Sequence, residues 1–322
     1  VIELMALCDQ LEKARAEREA ARDMFTLSTL AKLNTPDPET YEDDARFALA
    51  NLAPLTNRPD QIKLLRQTIL NLAVRGKLVE QNVADEPAAN LVRRIHRPIQ
   101  DINQSLRLKA PKLPLLSEDQ VPFKLPVGWC WARFTELGAL GRGRSKHRPR
   151  NDPALYADGE HLMIQTGDVA RSKGLIQTHT AKYNDVGLAQ SRLWPKGTLC
   201  ITIAANIADS GILDFSACFP DSVVGFVPVP CFENARYFEY FMRTIKADLL
   251  TFAPATAQKN INLDILMQVM IPMPPLAELH RIVAKVDALM TLCDQLEASI
   301  TTGEQTRSRL LEAVLHDVLE PA

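Results

Sequence analysis

The sequence predicts a mixed α+β fold in which one globular domain is flanked by long helices that form a coiled-coil-like spacer. Three observations carry this expectation. Val1–Glu12 returns as Val286–Glu297, with nine of twelve positions identical at an offset of 285 residues, which marks two copies of one element and not a short-period solenoid. Both copies are followed by polar stretches that keep helical periodicity. Past Pro126 the pattern changes to short β-favouring runs bounded by Gly, Pro, Asn or Asp.

Residues 1–33 read as a long helix. Leu4, Leu7, Leu11, Ala14, Ala21 and Phe25 give it a seam for a partner helix. Arg18 and Ser28 interrupt that seam, so a surface helix packed on a domain is the alternative. Pro36 and Pro38 end the helix, and residues 34–59 read as a connector. Residues 60–110 form a helical region and linker. Asp60 is placed to cap Gln61–Ala73, where Ile62, Leu65, Ile69, Leu72 and Ala73 share a face, and Gly76 supplies the stop. A shorter helix is expected over Pro87–Ile95, and Lys109–Pro114 reads as a linker.

Residues 111–275 form the globular domain. Strands are expected at Leu162–Thr166, Thr198–Ile203, Val223–Val229 and Val269–Ile271, a helix over Asn234–Leu250, and turns at Gly167-Asp168, Pro195–Gly197 and Pro220-Asp221. Whether the sheet is parallel or antiparallel stays open. Residues 276–322 return to a helix face through Ile282, Val286, Leu289, Leu292, Cys293, Leu296 and Ile300, weakened at Gly303 and resumed from Leu310. A helix of about 43 residues spans roughly 65 Å, longer than one small domain needs.

Composition bounds the function. A chain of 322 residues holds about two domains at the usual size. It contains no apolar run of membrane-spanning length and no signal-peptide pattern, so a soluble cytoplasmic protein without membrane association is expected. The absence of an initiator Met suggests a processed, truncated or non-AUG start. Six cysteines, at 8, 130, 200, 218, 231 and 293, form no CxxC pair, and they read as reduced core residues, neither a disulfide framework nor a zinc site. The six histidines lack metal-ligand spacing.

The net charge is only −2, but its distribution is informative. Between Val121 and Pro275, sixteen Lys and Arg face thirteen Asp and Glu, and Gly141–Arg150 concentrates five cations and a histidine in ten residues. Two glycines and a proline exclude a regular helix or central strand there. Such a loop can clamp phosphate or fork onto base edges. Arg142, Arg144, Lys146, Arg148 and Arg150 are the first candidates for contacting DNA, with Ser145 and His147 as polar contacts; a solvated basic loop is the alternative. Gln165, Thr166, Asn206 and Ser210 carry suitable hydrogen-bonding tips at strand ends, and satisfied turn residues explain them equally well. No methyltransferase cofactor turn or Asn-Pro-Pro-aromatic motif is present, and Gly76-Lys77 lacks the rest of a phosphate loop. No catalytic residue, metal or cofactor is therefore expected.

Pro272–Glu297 resembles the conserved helix region that follows a target recognition domain in the DNA-specificity subunit of type I restriction-modification systems. Leu64–Val79, Leu125–Trp131 and Ala257–Asn262 agree with the same family. The resemblance implies a non-catalytic subunit that binds double-stranded DNA, with long helices that set the spacing between recognition domains and dock methyltransferase subunits, and with a separate endonuclease-translocase subunit. It adds Gln258, Lys259 and Asn260 as residues that touch phosphate or fix the domain against the helical arm. The chain departs from the usual plan of two recognition domains: it resembles the second half of such a subunit or a half-sized one. A half-sized subunit implies head-to-tail pairing with a copy of itself; a gene remnant is equally consistent. Leu4, Leu7 and Leu11, like Leu289, Leu292 and Leu296, are expected to pack helix on helix, in the chain's own core in preference to a partner. A helical adaptor that binds only protein is the reading from a different class.

Overall fold

A computed structural model describes residues 2–35, 37, 39–109, 122–251 and 261–319. The chain divides into two compact units, one made of residues 1–72 and 285–322 and the other of residues 73–284. Each is described by itself below.

The first unit opens with α1 (Ile2–Asn34), continues through α2 (Tyr41–Ala50) and α3 (Leu52–Leu55), and enters α4 (Pro59–Val74). The segment 34–59, read as a connector, thus holds two helices. α1 ends at Asn34, and Leu30 and Leu33 of α1, Ala48 of α2 and Leu55 of α3 bury one another as a small core; burial of that apolar face makes two short helices stable that propensity alone would not hold. Asp60 is not the residue before α4 but lies inside its first turn, where its carboxylate also meets the backbone N–H groups of Asp60 and Gln61. The helix begins at Pro59, a position where the missing N–H costs nothing, and both Asp60 oxygens accept from Arg58, at 3.0 and 2.6 Å. Arg58 also reaches Glu19 (3.0 Å) and Asp23 (2.6 Å) on α1.

The second unit follows α5 (Ala88–Arg94) and α6 (His96–Ser105) into the sheet domain. Gly76 sits at φ +67 just past α4, and a Cβ there would lie 2.6 Å from Pro126 Cγ and 3.0 Å from Trp129, so only glycine meets both the left-handed backbone and the close approach. Next come β1 (Cys130–Arg133), α7 (Phe134–Leu137), β2 (Gly138–Arg142), a 3-10 turn at Pro153–Leu155, β3 (His161–Met163), α8 (Thr166–Arg171), β4 (Leu175–Ile176), β5 (Ala181–Tyr183) and α9 (Asp185–Gln190). The remainder is β6 (Leu193–Trp194), β7 (Leu199–Thr202), β8 (Ser210–Leu213), β9 (Ala217–Cys218), β10 (Val223–Pro228), a 3-10 turn at Pro230–Phe232, α10 (Arg236–Thr251), α11 (Leu263–Gln268) and β11 (Met270–Met273).

Three sheets result, with orders β1-β11, β2-β10-β7-β8-β4 and β5-β3-β9-β6. Pairing is antiparallel except for β3 with β9 and β4 with β8, which settles a question the sequence left open in favour of a mixed sheet. The run Leu162–Thr166 is a strand only as far as Met163. Gln165 N–H donates to Asp168 Oδ2 at 2.8 Å, an N-terminal cap that starts α8 and turns the expected Gly167-Asp168 turn into helix. Two aromatic groups fill the interior: Phe226 lies edge-on to Phe134 and Phe238, each at 4.9 Å, and Trp194 stacks on Phe219 at 5.0 Å.

β1 and β11 pair Cys130 with Met273, so the domain enters and leaves through one antiparallel ribbon. Trp129 Nε1 reinforces it by donating to Glu278 Oε2 at 3.1 Å, in the first turn of α12 (Leu276–Leu319). Burial pushes the Glu278 carboxyl up, while the Trp129 hydrogen bond pulls the other way. With the folded value above the unfolded one, this group's stabilisation is fully present below the ordinary glutamate range and is lost as pH rises through the raised folded value. Glu278→Gln keeps an acceptor for Trp129 without the buried charge. Its melting temperature at pH 7 is expected to equal or exceed that of the parent, with the gap closing as the pH is lowered through the ordinary glutamate range.

In the first unit, α12 carries Cys293 buried and Leu289 half-buried, but Leu292 and Leu296 are exposed, as are Leu7 and Leu11 on α1. This corrects the expectation that these leucines lie in the chain's own core: among the described residues of α1, the fully buried ones fall in its last three turns, around Thr26, Leu30 and Leu33. The side chain of Leu4 lies outside the described residues.

Candidate nucleic-acid interface

Register decides where the basic loop lies. Arg142 at the end of β2 pairs with Val224, Val223 at the start of β10 pairs with Thr202, and Ile201 of β7 pairs with Ser210 of β8. The exit of β2, the entry to β10 and the β7–β8 hairpin therefore share one end of the five-stranded sheet. β3 runs parallel to β9, whose continuation through residues 219–222 feeds β10, so Gln165 and Thr166 leave β3 toward that same end. Ile203 N–H donates to Ser222 O (2.9 Å), Ile164 N–H to Cys218 O (3.0 Å) and Arg144 N–H to Phe219 O (3.0 Å). The candidates Arg142, Arg144, Ser145, Lys146, His147, Arg148, Arg150, Gln165, Thr166 and Asn206, scattered over 65 residues of sequence, are thereby gathered around the 219–222 segment. Lys259, with Gln258 and Asn260, lies outside the described residues.

The loop is held by its backbone, which leaves charge to spare. Gly143 N–H donates to Val223 O (2.8 Å), Lys146 N–H and His147 N–H both donate to Gln190 Oε1 (2.7 and 3.1 Å), Ser191 Oγ donates to Arg144 O (2.8 Å), and Arg192 Nη1 to Arg142 O (3.0 Å). Arg150 pairs with Asp221 at 2.6 Å and His147 with Asp152 at 2.7 Å. The Asp152 carboxyl is held below the ordinary range by the Ala154 N–H first and by His147 second. Arg142 spends its Nε on Asp221 O, and Arg148 donates to Ser145 O and His147 O. Among the described residues, Arg142, Arg144, Lys146, Arg148 and Arg192 have no carboxylate partner.

Two of those cations are set side by side. Arg192 lies over the Trp194 ring at 5.6 Å, and burial, followed by the charge of Arg144, lowers its affinity for its proton. Arg144 Nε and Gln190 Nε2 are buried donors with no acceptor. Keeping like charges and unpaired donors together is unfavourable for the free fold, and an anion laid against this end of the sheet relieves it.

Other candidates fare differently. Arg142, Lys146, Arg148 and Arg150 are exposed and Arg144 and His147 half-buried, whereas Ser145 is 7% exposed and has little surface to offer. Gln165 is exposed at the start of α8, and Thr166 is its half-buried first residue. Asn206 is exposed at φ 41, between Ala205 (φ 47) and Ala208 (φ 60); three non-glycine residues in left-handed backbone within one hairpin are costly, and the carbonyl of Asn206 is tied down by the Thr202 hydroxyl. Ser210 is half-buried and its hydroxyl faces Glu239 (3.4 Å). Gln190, Arg192 and Asp221 were missed because nothing local distinguishes them; only the sheet brings α9 and the β9–β10 turn against the loop.

Gly143 is the loop's fixed point. A Cβ there would lie 2.2 Å from Pro220 O and 2.4 Å from Phe219 O, backbone atoms with no freedom to retreat. Gly143→Ala is expected to cost about 1–3 kcal/mol, as overpacking does, and to displace residues 144–150. Thermal melting together with DNA binding checks both effects.

The type I restriction modification DNA specificity domain model matches residues 126–302, more than half of the chain, and the chain belongs to that family. It is 26% identical to the type I restriction enzyme EcoEI specificity subunit of Escherichia coli, over 97% of this chain and 54% of that protein. It is 29% identical to the EcoAI specificity subunit of Escherichia coli, over 79% of this chain and 44% of that protein. The chain thus spans about half the length of the curated relatives it matches. Among solved structures, a chain from a study of complex assembly and conformational transition of the type I R-M system is similar over 73% of this chain and 56% of that one, at 18% identity and a TM-score of 0.50, a likeness of fold alone. No helix among the described residues is long and apolar enough to cross a membrane.

Proposed function

We propose that this chain is a non-catalytic, cytoplasmic DNA-recognition subunit. Its sheet domain reads one half of an interrupted site in double-stranded DNA, and its helical arms carry methyltransferase subunits and an endonuclease-translocase subunit to that site. The observation that supports this most is the set of five cations that have no carboxylate partner among the described residues, at one sheet end where the loop backbone is tied down by Gln190, Ser191 and Arg192. In this reading Arg142, Arg144, Lys146, Arg148 and Arg192 face the phosphate backbone, which positions the domain, and Gln165 and Asn206 on neighbouring loops are placed to meet base edges.

A protein-only adaptor would use the exposed leucines of α1 and α12 without any DNA. Salt titration of binding to duplex DNA separates the two readings. A recognition domain loses affinity linearly in log salt, with a slope of about −0.9 for each phosphate engaged. An adaptor has no such affinity to lose, and flat, negligible binding at low salt would overturn the proposal.

A further inference from the structure

The C-terminal end of α6 closes in a form that glycine usually supplies. Arg107 N–H donates to Gln104 O at 3.0 Å and Leu108 N–H to Asn103 O at 2.8 Å, the paired bonds of a Schellman motif, whose left-handed position favours glycine because a Cβ there crowds the following carbonyl. In this chain the position is held by Arg107, at φ 51. Its neighbours are anchored. Leu106 is buried, Ile102 and Leu108 pack on the same apolar cluster as Trp194 and Phe219, and Leu108 presses on β2 so closely that a Cβ on Gly141 would lie 2.4 Å from its Cδ2. Arg107 stands exposed between the two leucines, with no carboxylate partner among the described residues. Its carbonyl meets the cation-rich sheet end: Arg192 donates from Nη2 to Arg107 O (3.4 Å) and from Nη1 to Arg142 O (3.0 Å). One guanidinium thus spans the ends of α6 and β2.

We propose that Arg107 binds a phosphate of duplex DNA beside Arg142 and Arg192, which extends the interface from the basic loop onto the end of α6. The proposal rests on the DNA-recognition reading. A non-glycine residue in left-handed backbone is strained, and such strain persists where the surrounding structure over-determines it, as it does at binding sites. Here the leucines on either side fix the backbone, so Arg107 is presented at a set place beside two further guanidiniums. A helix C-terminus is by itself a poor place for an anion, because its free carbonyls carry negative charge. At this end Asn103 O and Gln104 O accept the closing N–H groups and Arg107 O accepts Arg192. The charge a ligand meets is therefore that of the arginines.

The test is a fluorescence-anisotropy titration of the full chain with two unrelated mixed-sequence duplexes over a range of salt, with thermal melting alongside. Arg107→Gly keeps the carbonyl that Arg192 uses and suits the left-handed backbone, so its melting temperature is expected to hold or to rise by up to about 4 °C. Its affinity for both duplexes is expected to fall by the same factor, roughly tenfold near 0.1 M salt, with a salt slope smaller by about one. Arg107→Lys keeps a cation on the same backbone and is expected to restore the parent's salt slope and most of its affinity. Parent-like binding by Arg107→Gly overturns the proposal. So does Arg107→Lys that binds as weakly as Arg107→Gly, since a loss indifferent to charge is structural. A parent chain that binds neither duplex even at low salt overturns the recognition reading, and this proposal with it.

Discussion

Replacing Arg144 and Lys146 together with alanine is expected to lower affinity for duplex DNA by about a hundredfold near 0.1 M salt and to reduce the salt slope by about two. Neither side chain has a carboxylate partner among the described residues, so no internal ion pair is lost. Removing Arg144 also relieves Arg192, whose proton affinity is lowered by burial and then by the Arg144 charge. Thermal stability of the double variant should therefore hold or rise while binding falls, a combination that a folding defect cannot produce. Arg150→Ala is the internal control. Its guanidinium is already paired with Asp221 at 2.6 Å, so it contributes less field to the site, and its loss should weaken binding less than that of Lys146. Equal losses for Arg150→Ala and Lys146→Ala would contradict this ranking.

Trp194→Ala is expected to destabilise the second unit by about 3–5 kcal/mol and to lower its melting temperature by roughly 10 °C or more. The indole is fully buried, stacks on Phe219 at 5.0 Å, and meets Gly225 so closely that a Cβ there would lie 2.8 Å from its ring. The cavity left by alanine lies inside the buried cluster that includes Phe219, Cys200 and Val223. Arg192 rests over the same ring, so the change also loosens a cation of the candidate interface. Trp194→Phe should cost less, because it keeps a stacking ring and deletes an indole N–H that is buried without an acceptor. Calorimetric melting of the three proteins checks the order.

What the sequence showed and what it hid follow from the range of the interactions involved. The long helices, β7, β10 and α10 rest on local periodicity, and they emerge within a few residues of where the pattern puts them. α2 and α3 were invisible because their apolar face makes sense only against Leu30 and Leu33 of α1. α8 was hidden by a cap: Leu162–Thr166 reads as one β run until Asp168 accepts the Gln165 N–H. At the candidate site, the density of arginine in Gly141–Arg150 was legible. The members that decide its electrostatics were not: Asp221, which neutralises Arg150, and Arg192, which adds to Arg144, lie more than 40 residues away in sequence. The leucine seam misled for a related reason. Periodicity reveals that a face is apolar, but not whether this chain supplies what covers it, and Leu7, Leu11, Leu292 and Leu296 are left exposed.

On the proposed function, this chain carries sequence specificity to enzymes that lack it. Its most direct test is a genome-wide map of methylated adenines in cells expressing the chain together with its neighbouring methyltransferase subunit, set against cells expressing either one alone. An interrupted motif methylated only when both are present is the expected result, and it should disappear with the Arg144→Ala, Lys146→Ala double variant. No new motif, with the chain folded and the methyltransferase active alongside another specificity subunit, would contradict the recognition role and leave an adaptor or an inactive remnant in its place.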